Sequence, residues 1–255
     1  MEAVVDYLSR VHLPLDVPPP TEDDKALVIV ETRPLPSVAC VIATAVRTHP
    51  GWHLYVFGTR DVHAMLQSQC ENYENATRVT LACQSMSTRE YSHLLVSRAF
   101  WDVIKQEHVL IFQHDCVLVR QCPREFLRYD FVGAVCGVLD PEKFVMNGGL
   151  SLRRRSAMVQ AVRLMRDHHP ELLEEPEDIA FCALMRQYPF FTLPSMRQCD
   201  EFAIESQGDP RTAIGIHGTD KHYAPPELVR ALLSKPALPT VNSVLSGSCS
   251  DSCLV

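Results

Sequence analysis

The sequence predicts an α/β fold: a single domain on a mostly parallel central sheet flanked by helices. Ala26 to Val30 is a short apolar run suited to a central strand, Pro36 to Thr48 reads as a helix, and Trp52 to Phe57 is a second strand closed by Gly58. Strand, helix, strand is the signature of a parallel sheet. The run Val109 to Phe112 is apolar throughout and ends in Gln113, His114 and Asp115. Polar groups at the carboxyl end of a strand border the ligand crevice of an open α/β sheet. Val117, Leu118 and Val119 then resume the apolar pattern, so Asp115 is better explained as a ligand to something charged than as a solvated turn residue.

The elements follow in order. Residues 1–24 read as an arm ending in Pro18, Pro19 and Pro20, a stiff extended stretch that cannot continue a helix. The domain is expected at 25–234. Ser87 and Glu90 have capping-box spacing, and Val96, Ala99, Phe100, Val103 and Ile104 fall on one helical face, which predicts one helix from Thr88 to Gln106. Phe131 to Val135 and Leu150 to Leu152 read as strands. Met158, Ala161, Val162 and Met165 mark a helix that stops before Pro170, and a short helix starts near Glu177. Strand-like pieces at Phe202 to Ile204 and Ala213 to Ile216 precede a last helix, Pro226 to Leu233. Residues 235–255, rich in Pro and Ser, are expected to be disordered.

Composition excludes several classes. With 255 residues and 46% hydrophobic composition, one domain can bury roughly three quarters of the surface its unfolded chain exposes. A formal charge of −7 disfavours a sequence-independent grip on nucleic acid or an anionic membrane surface. The 10 cysteines are scattered singly among apolar segments, without a CxxC pair, so buried free thiols are expected rather than a disulfide or zinc framework, with Cys249 and Cys253 of the tail exposed. The first 20 residues carry Glu2 and Asp6 and lack a basic start and an unbroken apolar stretch, and no segment is long enough to span a bilayer, so a cytoplasmic protein is expected. Asn75, Ala76 and Thr77 form a sequon read as chance.

Four clusters can carry chemistry: Glu31 with Arg33; Gln113, His114 and Asp115; Asn147, Gly148 and Gly149 with Glu177 and Asp178; and His217 with Lys221. Each has a structural alternative. Glu31 and Arg33 can be a surface ion pair, Asp115 a turn cap, the Asn-Gly-Gly run a tight turn, Glu177 and Asp178 the acidic start of a helix, and His217 a loop residue. Arg153, Arg154 and Arg155 read as a solvated helix start, with phosphate or acceptor binding as the alternative. No GxGxxG or GxxxxGK[ST] phosphate loop is present, which removes the main support for dinucleotide-dependent and P-loop enzymes.

The segments VIVETRP (28–34), EYSHLLVSRAFW (90–101), HVLIFQHDCVL (108–118), YDFVGAV (129–135), NGGLSLRRRSAM (147–158), EDIAFC (177–182), FAIE (202–205) and IGIHG (214–218) together resemble, in order, a little-characterised family of glycosyltransferase-like domains of GT-A type. The resemblance implies a Rossmann-like domain that binds a nucleotide-diphosphate sugar and transfers the sugar to a hydroxyl-bearing acceptor. It implies a divalent cation that neutralises the leaving diphosphate, held by Asp115, which matches the second aspartate of an Asp-x-Asp motif, and by His217, which is similar to a late histidine ligand. Gln113 stands where the first aspartate would be, so one anionic ligand is missing. Imidazole favours Mn²⁺ over Mg²⁺. The resemblance further implies donor contacts from Glu31, Arg33, Tyr91, Ser92, Gln113, His114, Asn147, Gly148, Gly149 and Lys221. If transfer inverts the anomeric configuration, Asp178, with Glu177 as rival, is implied as the base that deprotonates the acceptor hydroxyl.

Two readings of other classes stand beside this one. A noncatalytic nucleotide-sugar or glycan binder on the same fold is motivated by Gln113, and a nucleotidyltransferase would release pyrophosphate instead.

Overall fold

Ala26, Leu27, Val28 and Ile29 offer no polar face, so the strand they form must be covered on both sides. The computed structural model of the chain, which describes residues 2–10, 15–136, 144–219 and 225–234, buries all four completely. The chain enters through helix α1 (Glu2–Arg10) and a two-residue strand β1 (Leu15–Asp16), then crosses the core as β2 (Lys25–Glu31). Pro36, whose fixed φ suits a first helical turn, opens α2 (Pro36–Thr48). Then come β3 (His53–Gly58), α3 (Arg60–Gln69), β4 (Cys70–Glu71) and β5 (Thr77–Thr80). Helix α3 and strand β5 are additions to the sequence reading. Thr59 starts α3 by accepting a hydrogen bond from the Val62 N–H.

The single helix expected over 88–106 is two, α4 (Thr88–Leu95) and α5 (Arg98–Val103). The expected Ser87–Glu90 capping box opens α4. Ser97 interrupts the helix because its hydroxyl donates to the Leu94 carbonyl and accepts from the Phe100 N–H, serving as end and new cap at once. Beyond it lie β6 (His108–Phe112), β7 (Val117–Leu118), β8 (Phe131–Cys136), β9 (Val145–Arg154) and α6 (Arg155–His168), which ends two residues before Pro170. The chain closes with α7 (Glu177–Gln187), α8 (Met196–Phe202), β10 (Gly215–Ile216) and α9 (Pro226–Leu233). Phe202, expected to begin a strand, instead ends α8, which a Ser195–Gln198 capping box initiates. Ile204 keeps only a single bridge to Ile216.

The main sheet has the order β5-β3-β2-β6-β9-β8. The first four strands are mutually parallel and β9 runs antiparallel to both neighbours, so the sheet is mixed and mostly parallel as expected. Helices cover it, and one large core joins them.

Residues of the expected N-terminal arm pack onto this body. β1 pairs with β4, and Leu15 and Val17 are buried in the main core. Val4, Tyr7 and Leu8 share one face of α1 and pack with Leu232 and Leu233 of α9 in a second cluster that includes Val117, Ile204 and Ile216. The eight cysteines of the described residues are free thiols. No helix among those residues is long and apolar enough to cross a membrane. Lys221, Cys249, Cys253 and the expected disordered tail lie outside the described residues.

Candidate active site

The crevice is built where β6 ends. Gln113 donates its backbone N–H to the Gly149 carbonyl of β9 (2.9 Å), which fixes the exit of the strand. Four residues on, β7 pairs antiparallel with β10, Val117 opposite Ile216. Asp115 lies just before β7 and His217 just after β10, so this two-strand pairing brings together residues about a hundred positions apart. The Asp115 carbonyl also accepts from the N–H and the hydroxyl of Thr219 (3.0 and 2.9 Å).

Their side chains meet in a buried group. His217 Nε2 lies 3.1 Å from Gln113 Oε1 and 3.4 Å from Asp115 Oδ1, and Nδ1 lies 3.3 Å from Glu205 Oε1. Asp115, Glu205 and His217 are each no more than 3% exposed. Burial acts to lower the His217 pKa, but hydrogen bonds and charge from Asp115 and Glu205 outweigh it and hold the imidazole at about 9. Ligand atoms of Asp115, Cys116 and His217 all lie within 4.8 Å of one another. The Cys116 thiol is engaged with backbone, donating to the Gly149 carbonyl (3.1 Å) and accepting from the Gln113 N–H (3.3 Å).

Asn147, Gly148 and Gly149 lie in an irregularity of β9. Gly133 of β8 pairs with Ser151 while Val135 pairs with Met146, so β9 advances five residues where β8 advances two. Such bulges re-aim side chains beside active sites. The structure shows what the missing side chains of the two glycines leave room for. A Cβ on Gly149 would overlap the His217 ring, and one on Gly148 would overlap the Glu177 carboxylate and crowd Arg153 Nη2 at 2.7 Å. Asn147 accepts from the Gly149 N–H (2.6 Å) and donates to Glu205 Oε1 (3.1 Å).

Glu177 and Arg153 form a buried bidentate pair, Nη1 to Oε2 at 2.7 Å and Nη2 to Oε1 at 3.1 Å. The guanidinium also donates to the Ser151 hydroxyl and the Gly148 carbonyl and lies over the rings of Phe131 and Phe181. Burial pushes the Glu177 carboxyl upward and Arg153 opposes it. Both Glu177 oxygens are therefore committed to Arg153. Asp178, half-buried, accepts from the Gly148 N–H (3.3 Å), which puts its carboxylate beside the bulge. The expected solvated helix start at 153–155 is a set of anchors instead: Arg154 pairs with Asp130, and Arg155 donates to the Trp101 carbonyl.

On the other flank, a cleft of about 330 Å³ is lined by residues including Glu31, Arg33, Ser87, Tyr91, Gln113 and His114. Glu31 accepts from the backbone N–H groups of Thr32 and Arg33 and from the Arg33 guanidinium, and its Oε2 lies 3.2 Å from His114 Nδ1. Burial opposes its ionisation, but Arg33, aided by His114, holds the carboxyl below its usual range. Burial and then the Glu177 charge push the Tyr91 phenol well above its ordinary value. Ser92 is buried and does not line the cleft.

Thus Glu31, Arg33, Tyr91, Gln113 and His114 share one cleft, while Asp115, His217 and Gly149 form the adjoining buried cluster with the half-buried Asn147 at its edge, and Glu177 and Asp178 lie against Gly148. Sequence reasoning assigned no role to Glu205, although it closes the FAIE segment, and none to Arg153 as an internal counter-ion.

No curated protein sequence matches. Among solved structures, the chain is similar to the apo form of the glycosyltransferase GlyE from Streptococcus pneumoniae TIGR4, with a TM-score of 0.47 and 11% identity over 72% of this chain and 47% of that one. A second GlyE structure from the same organism gives 0.40 and 12% over 64% and 43%. The chain thus spans about half the length of the structures it matches. Residues 76–217 match a family described as "Protein of unknown function (DUF5672)", and as they make up more than half of the 255 residues, the chain belongs to that family.

Proposed function

We propose that the protein is a metal-assisted glycosyltransferase of GT-A type that moves a sugar from a nucleotide diphosphate to a hydroxyl acceptor. The observation that carries this reading is the meeting of Asp115 and His217, 3.4 Å apart and buried, at the carboxyl end of β6. Their donor set fits a divalent cation. A carboxylate oxygen, the Gln113 amide oxygen and an imidazole nitrogen converge there, with Mn²⁺ suited to the mixed oxygen and nitrogen ligands and Mg²⁺ as the alternative. When bound, such a cation neutralises charge that builds on a departing diphosphate.

The chain's own residues supply the rest. The cleft beside Gln113 holds the nucleotide, with Arg33 and His114 as donors at its wall and Tyr91 at its floor. Asp178 is the proton acceptor for the incoming hydroxyl, because its rival Glu177 is held at both oxygens by Arg153. The direct test is incubation with Mn²⁺ and a panel of nucleotide sugars while released nucleoside diphosphate is measured. The expectation is release with at least one donor, abolished by Asp178→Asn with donor binding intact. No turnover and no thermal shift with any donor overturns the proposal.

The second reading, a noncatalytic binder, is favoured by Gln113, whose neutral oxygen replaces a carboxylate. It predicts donor binding by calorimetry without release, and pyrophosphate release from a nucleoside triphosphate would instead indicate a nucleotidyltransferase.

A further inference from the structure

The two nitrogens of the His217 ring face different partners. Nε2 is turned toward Gln113 and Asp115, and Nδ1 toward Glu205. We propose that Glu205 is a positioning residue, braced by Asn147, that holds His217 with Nε2 directed at the cation, so that Glu205 rather than residue 113 brings the second carboxylate to this centre. The inference rests on the reading of Asp115 and His217 as cation ligands. A histidine that ligates through one nitrogen commonly donates its other N–H to a carboxylate, which fixes the ring and makes it a stronger ligand.

The surroundings of Glu205 are built for this. It is 2% exposed, and its Oε1 receives both His217 Nδ1 (3.3 Å) and Asn147 Nδ2 (3.1 Å). The Asn147 amide is itself fixed by the Gly149 N–H at 2.6 Å. The backbone on either side is tied down as well: Ile204 donates to the Gly215 carbonyl (3.0 Å), and His217 donates to the Ile204 carbonyl (2.9 Å). Glu205 Oε2 is buried without an oxygen or nitrogen hydrogen-bond partner among the described residues. The Cys136 thiol beside it is pushed up to about 11 by burial and by the Glu205 charge. A buried carboxylate that met only a thiol and an amide would be costly, whereas one that also faces an imidazole Nδ1 gains a further hydrogen-bond partner. The bulge of β9 thus brings Asn147 to Glu205 and leaves room at Gly149 for the ring that Glu205 holds.

The experiment compares wild type, Glu205→Gln and Glu205→Asp in two ways: Mn²⁺ affinity by titration calorimetry, and the downfield imidazole N–H proton of His217 by NMR in the metal-free protein. Thermal melting of each variant confirms folding, and Asn147→Ala, one step further from the ring, replaces any variant that does not fold. Glu205→Gln is expected to weaken Mn²⁺ binding by about 10- to 100-fold and to shift the N–H resonance, with Glu205→Asp restoring part of both. Unchanged affinity with an unchanged resonance overturns the inference. If wild type binds no Mn²⁺, the cation reading falls by itself; the relay then stands if the resonance moves in Glu205→Gln and falls if it does not.

Discussion

His49 sets an acid limit on this fold. It is 1% exposed at the end of α2, and its Nε2 accepts from the Cys122 N–H at 3.0 Å. Nδ1 must therefore carry the proton, 2.8 Å from the Thr48 hydroxyl, which in turn donates to the Thr44 carbonyl at 2.7 Å. Every polar atom of the neutral ring is matched, and a second proton would push the imidazolium against an N–H donor in an apolar surround. Burial lowers the pKa from 6.5 to about 3. The folded pKa lies below the unfolded one, so the unfolded chain takes up a proton first as pH falls. The stability that His49 contributes is complete above pH 6.5 and declines between there and pH 3, by about 1.4 kcal/mol per pH unit. At pH 5 the loss is about 2 kcal/mol, and roughly 4 to 5 kcal/mol accumulate over the whole interval. Urea unfolding from pH 5 to 7.5 measures this against His49→Gln, which keeps an acceptor for Cys122 without titrating. Burial also lowers the pKa of His53, His63 and His108, and these contribute equally to both proteins and cancel. Parallel stability curves for the two proteins would refute the argument. The consequence reaches the site, because the end of α2 pins the segment that follows Asp115, His49 at Cys122 and Thr44 at Leu118, whose N–H donates to the Thr44 hydroxyl.

Three further outcomes follow from the packing. Glu177→Gln leaves the Arg153 guanidinium buried without its counter-charge and should cost about 3 to 5 kcal/mol by denaturant unfolding, whereas Asp178→Asn should leave the unfolding midpoint nearly unchanged. Gly149→Ala puts a methyl group where the His217 ring stands; a lower melting temperature and a weaker thermal response to Mn²⁺ are expected, and a wild-type response would show that the ring is not fixed there. Tyr7→Ala removes a side chain 2% exposed between α1 and the β7–β10 pair and should destabilise the protein by about 3 kcal/mol, as core aromatic deletions do; unfolding indistinguishable from wild type would mean that α1 adds nothing to the domain.

The local signals in the chain were reliable where the physics is local. Pro36 and the apolar spacing after it mark α2 end to end, Ser87 and Glu90 mark the start of α4, and Pro226 to Leu233 is a helix as expected. Reading failed where a polar side chain competed with the pattern. The apolar face from Val96 to Ile104 suggested one helix, but the Ser97 hydroxyl satisfies the ends of two. The same competition hid α8, whose Ser195–Gln198 box precedes the apolar residues that looked like a strand.

The site divides in the same way. Gln113, His114 and Asp115 were legible because a strand that ends in polar groups advertises the crevice of a parallel sheet. What Glu205, Arg153 and the two glycines do was not legible, since each depends on a partner far away in sequence: Glu205 on Asn147, Arg153 on Glu177, Gly149 on His217. Alternation of apolar strands and amphipathic helices was enough by itself to determine an α/β architecture and to set Asp115 at its rim, because backbone periodicity and side-chain burial are properties of neighbouring residues. Only the tertiary structure decided that Glu177 serves Arg153, that Asp178 is the acid left over, and that His217 stands between two carboxylates. Those outcomes are fixed by the pairing of β7 with β10 and the slip of β9 against β8, and strand register joins distant segments in a way that no window of sequence contains.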